Sequence, residues 1–142
     1  MTDTTTDDTR DLRPVRYADH VTAAHADALF EYLSARLSHA ITGTEPGTDA
    51  RRAVTGLDLV IPDLVGTLRH LVARRDELPD WTTAYALELR QAIRREWNRL
   101  AHIAGQWADT PTPPPWGPVT HLSAEEEAAE VLRREELRTR ER

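Results

Sequence analysis

Five side chains past the middle of the chain have the types and spacing to act on an anion: Arg94, Arg95, Asn98, Arg99 and His102. Residues three and four apart are neighbours on a helix, so Arg95, Asn98, Arg99 and His102 share one face. Arg keeps its charge and offers a planar fork of donors to phosphate or carboxylate oxygens. His titrates near pH ~6.5 and can give or take a proton at neutral pH. The plainer reading of these residues is a solvated Arg-rich face, paired in part with Glu88 and Glu96, or a surface for a partner protein. Other chemistry is excluded by composition. There is no Cys, hence no disulfide, thiol nucleophile or Cys-based zinc site. All 18 basic residues are Arg, so no lysine Schiff base or phosphate-loop lysine can form. Neither a G-x-S-x-G elbow nor a Gly-rich phosphate loop is present.

Arg95, six intervening residues and His102 resemble the motif of HEPN nucleases, an Arg and a His separated by four to six residues that act on an RNA phosphodiester. The resemblance implies that Arg95 steadies phosphate charge while His102 serves as acid or base. It is confined to this helix, and the polar residue that usually follows the family's Arg is Glu96 here. Nucleic-acid binding without catalysis would use the same face. The chain is acidic, however, with a pI of about 5.5, and carries no helix-turn-helix, zinc-finger or RNA-binding motif. Nucleic acid is therefore not the expected partner.

The six His (20, 25, 39, 70, 102 and 121) form no i,i+4 pair, and no E-x-x-H is present. A bundle could gather His25, His70 and His102, as in the DinB-like metal bundles, but nothing in the sequence requires it. No metal and no cofactor are expected.

The elements that must position these residues are helices. Residues 1–18 are polar, with few large apolar groups, and read as a disordered arm. From about Asp19 to Thr42, Ala26, Phe30, Leu33, Leu37 and Ala40 recur on one helical face, and Gly43 ends the helix. From about Asp49 to Glu77, Val54, Leu57, Ile61, Leu64, Leu68 and Leu71 keep a 3-4 spacing straight through Pro62. That favours one helix kinked at Pro62, which lacks a donor for the carbonyl of Asp58; a break into two helices is the alternative. Gly56 and Gly66 weaken this helix unless they permit a close helix approach. Asp80 is the expected cap of a third helix from Trp81 to about Ala108. Its apolar face is Ala86, Leu89, Ile93, Trp97, Leu100, Ala104 and Trp107, with Trp81 covering its start.

Three such helices joined by short loops predict an all-α fold, an antiparallel three-helix bundle over residues 19–109. A proline-rich linker, 110–122, follows as an extended and semi-rigid segment. Within it, Trp116 either locks the linker onto the bundle or anchors another protein. Ser123 and Glu126 have capping-box spacing at the start of a charged C-terminal helix, 123–142. Glu130 with Arg134 and Glu136 with Arg140 have favourable spacing for ion pairs.

Net charge is −6, unevenly spread: residues 51–108 hold nine Arg against seven acids, and both ends are acidic. The Arg-only basicity and single Asn suit a high-GC genome. In composition the chain is similar to uncharacterised small all-helical proteins of actinobacteria and their phages, and that similarity carries no functional residue. No apolar run reaches the ~18–20 residues of a membrane span, and the start is too acidic for a secretory signal, so a cytoplasmic protein is expected. The functional expectation is a non-enzymatic interaction or regulatory protein with an unknown protein partner. Arg94, Arg95, Arg99, His102 and Trp116 are its candidate contacts, and the HEPN-type RNase using Arg95 and His102 is the alternative. Self-association is expected through a leftover apolar edge such as Leu59, Val60 and Val65.

Overall fold

The computed structural model describes residues 12–80 and 82–142. The first eleven residues of the expected arm, and Trp81, lie outside that description. Regular structure among the described residues is helical: α1 (Ala23–Thr42), α2 (Asp49–Glu77), α3 (Ala84–Ala104) and α4 (Ala124–Arg140), with 3-10 turns at Ala18–His20 and Gly105–Trp107 and no strand. None of these helices is long and apolar enough to cross a membrane.

Helix α1 begins three residues after its 3-10 turn because Thr22 caps it. The Thr22 hydroxyl accepts from the His25 amide at 3.3 Å, and His25 Nδ1 accepts in return from the Thr22 amide at 3.1 Å. This is a capping box with His in the place usually held by Glu or Gln. His25, Ala26, Leu29, Leu33 and Leu37 are buried, so the face centres on Leu29, and Phe30 is left half-buried.

Gly47 adopts a φ of 82° in the turn before α2, a backbone state that suits a residue without Cβ. Thr48 then caps α2 by accepting from the Arg51 amide. The helix runs unbroken through Pro62, so the two-helix alternative does not form. Its buried line is Ile61, Val65, Leu68 and Val72, with Val54, Leu57, Leu64 and Leu71 half-buried beside it. Val65 is therefore not part of an exposed edge: four residues after Ile61 and three before Leu68, it shares their inward face and is 5% exposed. Nothing lies within 4 Å of a Cβ built on Gly56 or Gly66, so neither admits a close helix approach.

Helix α3 starts later than Asp80 would dictate. Thr83 is the cap, accepting from the Ala86 amide at 3.1 Å. The Asp80 carboxylate instead accepts from the Thr82 hydroxyl at 2.6 Å and the Thr82 amide at 2.9 Å. Those bonds, the hydroxyl's above all, hold the Asp80 carboxyl below its ordinary range. Beyond Ala104 the helix tightens into the 3-10 turn that ends at Trp107.

Helices α1, α2 and α3 each pack against the other two. Between them lie Leu29, Leu33, Leu37, Ile61, Leu68, Ile93, Trp97 and Leu100, all essentially inaccessible. Each large apolar side chain removed from water this way contributes roughly 1.5–3 kcal/mol. Helix α4 packs against none of the three.

Candidate functional site

The proline-rich segment is laid along the body of the protein rather than held away from it. At its start the Tyr32 hydroxyl donates to the Thr112 carbonyl, and Arg36 donates to the Thr112 hydroxyl, both at 2.6 Å. Further on, Trp97 Nε1 donates to the Gly117 carbonyl at 3.1 Å. Asn98 then treats Val119 as a strand would: its Nδ2 donates to the Val119 carbonyl at 2.8 Å, and its Oδ1 accepts from the Val119 amide at 2.7 Å. Val119 and Leu122 are buried in the core. The Trp116 ring is half-buried, 5.1 Å from the His25 ring and 6.0 Å from that of Trp97. Trp116 thus packs the segment against the chain's own core.

A second segment lies beside it. Residues 12–18, assigned to the arm from composition, include a half-buried Val15 and a fully buried Ala18. Tyr17 forms a parallel bridge with His121, and the Ala18 and Asp19 amides donate to the carbonyls of His121 and Leu122. His25 joins the two segments. It is 2% exposed, Nδ1 accepts from the Thr22 amide, and Nε2 lies 2.8 Å from the Arg13 carbonyl. A neutral ring with its proton on Nε2 satisfies both contacts. Burial pushes the His25 pKa below its ordinary 6.5, with nearby His20 adding to the effect, while the bond to Arg13 opposes it.

The Arg-rich centre is occupied in the same way. Arg90 grips Asp19 through two bonds of 2.7 and 2.6 Å. Arg75 donates to the carbonyls of Ala18 and Val21, and Arg69 pairs with Asp27. Arg51, Arg52 and Arg74 meet the Thr44 carbonyl, Asp49 and Glu77 respectively. Arg94 donates to the Thr120 carbonyl at 3.0 Å and reaches Glu126 at 3.4 Å. Arg95 and Arg99 flank the buried Glu96, at 3.7 and 3.1 Å. All nine Arg of residues 51–108 therefore have a partner within this chain.

The five residues singled out on α3 thus divide. Arg94 and Asn98 hold the returning chain, Arg95 and Arg99 surround Glu96, and His102 stands exposed. No hydrogen bond joins His102 to Arg95, which lies two turns away, about 10 Å along the axis. Glu96, the departure from the HEPN pattern, is the residue that occupies Arg95. His25, His70 and His102 are not assembled: among the described residues no group of three His, Asp or Glu is placed to hold a metal ion.

The tie between α4 and the body is a cluster that sequence spacing does not announce. Glu127 accepts from Arg16 at 2.9 Å and from the Tyr17 hydroxyl, residues more than a hundred positions away. The Tyr17 bond holds the Glu127 carboxyl below its usual range and raises the Tyr17 hydroxyl above its own, because it favours the neutral donor and the charged acceptor. Ser123 caps α4 as expected, while Glu126 turns to the Leu122 amide at 2.9 Å instead of that of Ser123. The Glu130–Arg134 pair forms at 3.3 Å, and Glu136–Arg140 does not form among the described contacts. One local signal for the buried histidine was present, since Thr22 and His25 have cap-to-third-residue spacing.

From residue 131 onward every α4 side chain is exposed, including Val131 (48%), Leu132 (61%) and Leu137 (53%). Comparison with protein-family models, curated proteins and solved structures finds no match to this chain.

Proposed function

We propose that this is a non-enzymatic interaction protein in which an antiparallel up-down-up bundle of α1, α2 and α3 presents α4 to a partner protein. Short connections at 43–48 and 78–83 and the mutual packing of the three helices support the bundle. The missing donor of Pro62, opposite the Asp58 carbonyl, supports a kink in its middle helix. One observation carries the docking role: α4 is capped and tied through its first turn, then leaves Val131, Leu132 and Leu137 in water. A helix of this length is marginal alone, and a partner's apolar surface stabilises it by covering Leu132, which lies on the side of the helix away from the body. Arg95 and Arg99 remain the exposed cations of α3 and form a secondary contact surface.

The test is co-purification from the native host with the full chain, comparing wild type, Leu132→Glu and Arg95→Glu/Arg99→Glu. A partner lost only with Leu132→Glu supports the docking role of α4. Loss confined to the Arg variant moves the function to the α3 face. RNA cleavage abolished by His102→Ala replaces the reading with the nuclease one.

A further inference from the structure

We infer that α4 docks on the α4 of a second copy of this chain, antiparallel across a two-fold axis near Leu132. The inference rests on the docking role of α4 given above and names its partner.

Charge along α4 is bipolar. Residues 124–132 hold Glu125, Glu126, Glu127 and Glu130 and no Arg, whereas residues 133–142 hold five Arg and three acids. A parallel pair would set acid against acid, and an antiparallel pair sets each half against its complement. The surface that would meet the partner is also defined. Glu126 and Glu127 turn toward the body, where they meet Arg94, Arg16 and Tyr17. At 3.6 residues per turn the opposite side carries Glu125, Ala128, Leu132, Glu135 and Thr139, spaced three and four apart. A shallow groove on that side is lined by Leu132, Glu135, Glu136, Thr139 and Arg140.

Leu132 stands at the midpoint of Ala124–Arg140. Antiparallel helices related by a two-fold axis bring like flanks together, and the contact is self-complementary. Glu125 and Arg140 occupy one flank, seven residues before Leu132 and eight after it, so their heights differ by only about 1.5 Å across the axis. Glu125 of one copy then faces Arg140 of the other, and this pair occurs twice. Neither residue has an ion-pair partner within its own chain among the described residues. Glu135 interrupts the apolar stripe, so the seam is short and the dimer is weak and reversible.

A second exposed apolar edge fits another copy less well. Leu59 (71%) and Val60 are flanked by Asp58 and Asp63. Two copies meeting there would bring like charges together.

Sedimentation equilibrium of the full chain over a range of concentrations tests the inference. The expected result is a monomer–dimer equilibrium that weakens as salt rises. Leu132→Glu should raise the dissociation constant about tenfold or more, with helix content and melting temperature unchanged, and Leu59→Asp should leave it alone. Glu125→Arg and Arg140→Glu should each weaken the dimer, and the double swap in one chain should restore it. A monomer at every concentration, or a dimer indifferent to Leu132→Glu and lost with Leu59→Asp, overturns the inference. If the chain stays monomeric while Leu132→Glu still abolishes capture of a host protein, self-pairing fails and the docking role of α4 stands.

Discussion

The segment from Trp116 to Leu122 and helix α4 are neighbours in sequence, and the chain treats them in opposite ways. The first has no regular structure of its own, yet Trp97, Asn98 and Arg94 hold it at Gly117, Val119 and Thr120, and it buries Val119 and Leu122. The second is a regular capped helix, yet it is tied through one turn and buries nothing. Regularity and anchorage are therefore separate properties in this molecule. The difference follows from where the polar groups find partners. Around the linker, Trp97 and Asn98 meet the Gly117 and Val119 backbone across the chain in half-buried settings. Along α4, Glu130 meets Arg133 and Arg134 on the same exposed helix, where such pairs are worth little.

The largest effect that distinguishes the two regions is expected at Trp97. It is fully buried and holds both the Trp116 ring and the Gly117 carbonyl, so Trp97→Ala should cost ~3–5 kcal/mol in denaturant unfolding. Leu132→Ala, on the exposed helix, should stay within about 0.5 kcal/mol of wild type in the same experiment. Equal losses would erase the distinction. Asn98→Ala comes next: it leaves the Val119 amide and carbonyl without their partners and should cost about 1–3 kcal/mol. Tryptophan fluorescence should report a loosened Trp116 in that variant.

A pH titration sharpens the same contrast. With its folded pKa below the 6.5 of the unfolded chain, His25 is neutral in both states above that value, and its contribution is fully present there. As pH falls through 6.5, the unfolded chain takes up a proton that the folded chain refuses, so stability declines until the lower folded pKa is reached. Urea midpoints measured from pH ~7.5 down to ~5.5 should fall in wild type. They should fall less in His25→Gln, which keeps a side chain able to complete the capping box. The smallest effect expected is a gain. Gly66→Ala meets nothing within 4 Å and should raise stability by up to about 1 kcal/mol in thermal unfolding.

What could be read from the sequence was local. The bounds of α2 at Asp49 and Glu77 and the cap at Ser123 follow from propensity, periodicity and capping chemistry within a few residues. The start of α3 is ambiguous in the sequence because Asp80 and Thr83 are both good caps, and Thr82 claims the first of them. The candidate site was legible as a face and illegible as a set of partners. That Arg90 serves Asp19, or that Asn98 pairs with Val119, depends on contacts 71 and 21 residues apart, which no periodicity encodes. The positive balance of residues 51–108 is legible in the sequence as a candidate contact face. Most of it instead meets the chain's own acids and carbonyls.

The claim that α4, ahead of the Arg-rich centre, is the main available surface is tested most directly by amide hydrogen exchange on the full chain in dilute solution. The account predicts slow exchange in α3 and at the Val119 amide, fast exchange in α4 beyond its first turn, and protection of α4 that appears as protein concentration rises. Exchange in α4 as slow as in α3 at the lowest concentration would contradict it, because the helix would then already be covered by its own chain.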